Sequence, residues 1–244
     1  MLLIFVFPIF YPPLRCTIVG KVNTKLGSVN GLHYTTPKGN KGEKYLGLPY
    51  AEKPVGRYRF EYPIPLKRWP QQPYNATYKR SVCLQQGAGD QIGEENCLYM
   101  NIFKPAAAQL IKFPVLFWVH GGSYESGSGS QFDVDGAIDN FASKGVVLVT
   151  INYRLGVLGI RYATLSIRIS LTNVNSIGFM SLLNSSLPGN YGLEDQLIAL
   201  KWVNENIDDF GGDKKSISIC GESAGGASVN LLALSPKAQE FKLT

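Results

Sequence analysis

The chain has 244 residues, 45% of them apolar and 17% charged, with no low-complexity tract and no internal repeat, which is the make-up of one globular domain or part of a larger one. Its net charge of +6 is spread along the chain and forms neither a basic stripe nor a recognisable module, so a nucleic-acid partner is excluded. No apolar run is long enough to span a bilayer, which excludes a transmembrane segment.

In chain order, residues 1–10 are strongly apolar and read as the core of a signal peptide occupying 1–16, although no basic residue precedes them. The densest basic stretch, 38–44, alternates with Gly and Asn and is expected to be a solvated loop. Asn75-Ala76-Thr77 is an acceptor sequon for glycosylation, and Asn184-Ser185-Ser186 is a second. Cys83 and Cys97 bracket a polar loop, 84–96, that contains glycines and no aromatic residue.

Residues 113–119 form an apolar, strand-like run that breaks into His120-Gly121-Gly122, and 146–153 is a second such run. Residues 192–209 predict a helix, because Leu193, Leu197, Leu200 and Ile207 fall on one face, and Gly211-Gly212 stops it. A third strand, 216–220, then ends in Gly221-Glu222-Ser223-Ala224-Gly225, followed by a small-residue apolar stretch, 224–234, able to continue as a helix. Strand, helix and strand in this order suit a mostly parallel sheet covered by helices.

Gly-x-Ser-x-Gly between a strand and a helix is the pattern of a nucleophile elbow, in which a serine sits on a tight bend and flanking Cβ atoms would collide with backbone. An acyl-transfer site must also stabilise negative charge developing on the substrate oxygen. Backbone N–H groups at a glycine turn after a strand do this, and Gly121, Gly122 and Ala224 are the candidate donors. Either motif alone reads equally well as a plain turn; together, in this order, they favour a hydrolase with Ser223 as nucleophile. No cofactor and no metal site is expected, and the partner implied is a small carboxylic ester.

From about residue 22 to 235 the chain resembles the type-B carboxylesterases, the family that also contains the cholinesterases. The resemblance is carried by segments 45–60, 94–103 and 120–122, by 150–159 with Asn152-Tyr153-Arg154-Leu155-Gly156, and by 187–192, 210–213 and the elbow. It implies an α/β-hydrolase fold: a mostly parallel central sheet with helices on both faces and an N-terminal antiparallel β-meander that includes His33. Residues 17–244 would be the N-terminal part of that domain, truncated after the nucleophile elbow. The resemblance further implies a Cys83–Cys97 disulfide and a structural ion pair between Arg154 and Asp195. Cys220 is expected to be a buried, inert thiol and Cys16 belongs to the leader. Leader, disulfide and sequons together point to a secreted or luminal protein.

Two features depart from the family. No histidine follows Ser223, and the two present, His33 and His120, lie in the meander and the glycine turn. Without the acid and base of a triad, this polypeptide alone is expected to be inactive and poorly soluble, with the elbow strand left as an apolar edge. The second departure is an insertion, 160–178, either an extra strand or a retained intron translated in frame; the abundance of Ile, Asn, Ser and Thr favours the intron. In the cholinesterases of this family a tryptophan in the loop between the paired cysteines holds the quaternary ammonium, and 84–96 has no aromatic residue, so the resemblance argues against a choline ester; an elbow reading Gly-Glu-Ser rather than the Gly-Gln-Ser that resembles juvenile-hormone esterases favours a general carboxylesterase. The alternative is a non-catalytic, adhesion-type relative or a fragment without activity.

Overall fold

The computed structural model describes residues 17–18, 21–86, 91–106, 111–156, 189–239 and 241. The leader 1–16 with Cys16, the stretch 160–178 and Asn184 lie outside the described residues. The strands in chain order are β1 (Thr17–Ile18), β2 (Val22–Thr24), β3 (Gly27–Asn30), β4 (Leu32–Thr35), β5 (Lys41–Pro49) and β6 (Tyr74–Asn75). They continue as β7 (Gln85–Gln86), β8 (Gln91–Ile92), β9 (Tyr99–Pro105), β10 (Phe113–Val119), β11 (Val147–Ile151) and β12 (Gly212–Gly221). The helices are α1 (Val134–Asn140), α2 (Tyr191–Asn206) and α3 (Ala224–Leu234).

One sheet runs β1-β4-β5-β9-β11-β10-β12. Its N-terminal strands are antiparallel from β1 through β9 to β11, whereas β10 is parallel to both β11 and β12. The meander and the parallel strands are therefore one continuous mixed sheet. Strand alternation explains the layers. Val115, Phe117 and Val119 of β10 are buried in one core with Leu200, Val203 and Ile207 beneath α2, while Leu116 and Trp118 pack into a second core around Ala137 and Ile138 of α1. Helices thus cover both faces, and burying each such Phe, Leu or Ile stabilises the fold by about 1.5–3 kcal/mol. Pro114 has no N–H to donate to a central ladder, and the β10–β12 register shifts at that point, between Phe113 and Val115.

Helix α2 occupies the expected segment but is buried almost all round rather than on one stripe. Asp195, Gln196 and Asn206 are buried with the apolar residues, whereas Lys201 and Glu205 are exposed. Asp195 is held there by Arg154: its Oδ2 accepts from Arg154 Nε at 2.8 Å and its Oδ1 from Nη2 at 2.7 Å, with both side chains at most 1% exposed. Arg154 Nη1 donates to the carbonyls of Arg59 and Glu61, so the pair also ties α2 to the segment after β5.

The Cys83–Cys97 disulfide is formed, with β7 and β8 as a short ribbon inside its loop. Closing a loop of this length is worth about 3 kcal/mol through chain entropy. Two expectations are corrected. The basic stretch 38–44 is not all solvated loop: β5 begins at Lys41, Lys44 is buried with its ammonium 4.1 Å from the Tyr34 ring centre, and Lys38 pairs with Asp139. Cys220 is a free thiol but only half-buried, because β12 borders the sheet among the described residues and one of its faces is thinly covered.

Candidate active site

Topology alone selects one end of the sheet. From β10 the chain reaches β11 past α1 on one face, then returns past α2 on the other face to β12, on the opposite side of β10. The winding reverses at β10, and open α/β sheets bind ligands outside the carboxyl ends of strands at such a switch point. Val119 pairs with Gly221, so β10 and β12 end level and the loops that leave them meet.

The loop after β12 is a two-residue bend, Glu222-Ser223, before α3 begins at Ala224. Ser223 has φ 54° and ψ −121°, a conformation that costs a non-glycine residue about 1–3 kcal/mol. Its neighbours must be glycine for reasons of space. A Cβ on Gly221 would lie 2.4 Å from the carbonyl carbon of Gly225, and one on Gly225 would lie 2.1 Å from Val119 O. Helix α3 is thereby drawn tightly against the end of β10. Ser223 and Glu222 are both exposed, and the Ser223 hydroxyl makes no hydrogen bond among the described residues. Ala224, as the first helical residue, has an amide with no intrahelical acceptor.

The loop after β10 lies directly against this bend. A Cβ on Gly121 would sit 2.5 Å from Glu222 O and 3.0 Å from Ser223 Cβ, so only glycine lets the two loops touch. Gly122 has φ 106°, and its carbonyl accepts from the amides of Glu125 and Ser126 at 2.9 and 3.0 Å, which folds the carbonyl back into its own turn. Gly121 and the elbow are thus brought together, with Gly122 next in the chain. Ser123 and Tyr124 follow with φ 56° and 60°, positions that sequence reasoning left unassigned.

His120 is a core residue. It is 1% exposed and stacks on Tyr153 at 4.3 Å, and the Tyr153 hydroxyl donates to its carbonyl at 2.7 Å. Its Nδ1 lies 2.8 Å from Gly121 O, and since a carbonyl only accepts, Nδ1 carries the proton. Nε2 is buried and has no partner, so no hydrogen bond links this ring to Ser223. Burial holds its pKa down to about 4, against a smaller upward pull from the bond to Gly121. His33 lies on β4, with Nδ1 3.8 Å from Glu43 Oε1. The imidazole of His120 is accordingly expected to stay neutral from pH 7.5 down to pH 5, with its carbon-bound proton resonances unmoved in an NMR titration. Because this pKa is depressed, its contribution to stability is complete above 6.5 and declines as pH falls towards 4.

A polar chain that the sequence did not signal anchors the glycine loop from behind. Gln196 Nε2 on α2 donates to Ser228 Oγ on α3 at 3.1 Å, and Ser228 Oγ donates to the Tyr124 hydroxyl at 3.3 Å. The Tyr124 carbonyl accepts from Gly156 N at 2.8 Å. No periodicity marks these residues, because their partners are 32 and 104 positions apart. Among the described residues no group of His, Cys, Asp and Glu is arranged to hold a metal, and no helix is long and apolar enough to cross a membrane.

A profile of the Carboxylesterase family matches residues 19–164 and 173–243. The chain is 42% identical over 219 residues to Gut esterase 1 of Caenorhabditis briggsae, covering 88% of this chain and 34% of that protein. It is 39% identical over 225 residues to Venom carboxylesterase-6 of Apis mellifera, covering 89% of this chain and 36% of that one. A solved PNB esterase superposes with a TM-score of 0.72 at 35% identity, over 91% of this chain and 42% of its own. The chain therefore spans about a third of the length of the curated relatives it matches.

Proposed function

The chain belongs to the carboxylesterase family and carries the α/β-hydrolase fold, and from that premise we propose that it supplies the nucleophile and the oxyanion donors of a site that hydrolyses carboxylic esters. Ser223 Oγ attacks the ester carbonyl carbon while a base takes its proton, and the carbonyl oxygen becomes an oxyanion. The amides of Gly121, Gly122 and Ala224 hold that oxyanion, each worth about 2.7–4 kcal/mol in the transition state. Collapse expels the alcohol, which takes a proton from the protonated base. Water then attacks the acyl-serine, again losing a proton to the base, to release the acid and restore the hydroxyl. The observation that carries this reading is the contact of Gly121 with the strained Ser223 bend at the level ends of β10 and β12.

The base is not one of the two histidines in residues 1–244. His120 is neutral, buried and committed to its own loop, and His33 stands on β4 in the meander. By the family resemblance, a disulfide loop 84–96 without an aromatic residue favours a carboxylic ester other than a choline ester as substrate. The disulfide, the exposed sequon residue Asn75 and the similarity to a venom carboxylesterase support passage through an oxidising, secretory compartment.

An external base tests the assignment. Hydrolysis of p-nitrophenyl acetate by residues 1–244 is expected to rise with added imidazole beyond the rate of imidazole in buffer, and Ser223→Ala is expected to remove that excess. Equal rates in the two proteins at every imidazole concentration would remove Ser223 from the mechanism.

A further inference from the structure

A cleft of about 300 Å³, with no residue of the elbow or the glycine loop in its lining, is walled by the end of β5, the segment after it and both flanks of the disulfide loop. Arg80 stands in that wall among three tyrosines of the same lining. Its guanidinium carbon lies 4.0 Å from the ring centre of Tyr78, 5.5 Å from that of Tyr74 and 5.9 Å from that of Tyr99. The aliphatic stem packs elsewhere: a Cβ added to Gly47 would lie 2.3 Å from Arg80 Cγ and 3.2 Å from its Cδ. Nε is sealed from solvent without a partner, whereas neither Nη nitrogen is sealed off without one. The Tyr74 hydroxyl interacts with the guanidinium, but it is a neutral oxygen already donating to Gly47 O at 2.8 Å. No carboxylate pairs with Arg80 among the described residues.

A guanidinium is satisfied in two ways: aromatic faces take its flat side, and its in-plane N–H groups require acceptors. The tyrosine rings meet the first need, and the Nη edge is left for an acceptor that can take two parallel N–H bonds. Carboxylate and phosphate both fit such a fork. Charge in the lining decides between them. Arg80 and Lys53 stand against Glu52, an excess of one positive charge, which a monoanion neutralises and a phosphate dianion overshoots. Pro49, Leu66 and Pro70 add an apolar stretch of wall, and a volume of this size is at the lower end of the range for small-molecule sites. We infer that this cleft binds a small monocarboxylate with a hydrocarbon body, the carboxylate on the Nη edge of Arg80 and the body against the apolar wall. This site is independent of the esterase reading.

Benzoate is the probe, and broadening of its ring-proton NMR resonances by residues 1–244 is the readout. Saturable binding is expected at low ionic strength. Benzyl alcohol, which keeps the ring and loses the charge, is expected to bind about tenfold more weakly or worse, and so is inorganic phosphate as the dianion. Arg80→Gln is expected to raise the benzoate concentration at half-saturation at least about tenfold, the loss of a charge-assisted pair of bonds. Glu52→Gln, which removes the competing carboxylate, is expected to lower it roughly twofold, a gain that a damaged fold cannot produce. No saturable binding of benzoate would overturn the site. Equal binding of benzyl alcohol or phosphate, unchanged affinity in Arg80→Gln, or no gain in Glu52→Gln would overturn it as well.

Discussion

Asp195→Ala is expected to destabilise the chain by about 3–5 kcal/mol, because it leaves the Arg154 guanidinium charged inside the core. Arg154 is 1% exposed and its carboxylate partner makes two side-chain hydrogen bonds at 2.7 and 2.8 Å, so no solvent is at hand to replace the lost charge. Asp195 Oδ2 also accepts from the Arg154 backbone amide at 3.0 Å, so truncation strands a second donor. The pair is not expected to be worth that much in itself: desolvating two ions offsets most of their attraction. Arg154→Met combined with Asp195→Leu should therefore recover most of the loss in urea unfolding. A single substitution costing under about 1 kcal/mol would show that water reaches the guanidinium and that the packing of α2 onto the segment after β5 is looser than the contacts indicate.

Residues 1–244 by themselves are expected to turn over an activated aryl ester on the order of 10⁶-fold more slowly than the same site with its base in place. Serine is a poor nucleophile while protonated, and nothing bonded to Ser223 among the described residues accepts its proton. The donors proposed at Gly121, Gly122 and Ala224 would remain, so a residual acceleration of about 10³–10⁴ over water is expected from oxyanion stabilisation and binding. Initial rates with p-nitrophenyl acetate measure this directly. Turnover at the rate of an ordinary serine esterase would mean that a base within these residues had been overlooked, with His120 the first to reconsider.

Local features were legible in the sequence because each rests on a short-range rule. Strand 113–119 coincides with β10, and 224–234 coincides with α3, since a short apolar run broken by a glycine turn and a small-residue apolar stretch are both properties of neighbours along the chain. The glycines of the elbow and of the loop after His120 were equally readable, because a missing side chain records a close approach. Strand order was not. That β12 lies beside β10 rather than β11 follows from which face each connection crosses, and no period encodes it. Polar residues drawn inward were also missed: buried Gln196 and Ser228 and half-buried Tyr124 look like surface residues until their partners arrive from other elements. Lys44 failed for the same reason, since its place under the Tyr34 ring depends on β4 pairing with β5.

Chemical modification asks the decisive question without needing a resident base. On exposure to a fluorophosphonate, with imidazole supplied, peptide mapping is expected to find the phosphonyl group on the hydroxyl at position 223, on the bend that lies against Gly121. Adducts scattered over exposed tyrosines and lysines, with the serine peptide unmodified, would contradict the nucleophile assignment and leave the family fold without its chemistry.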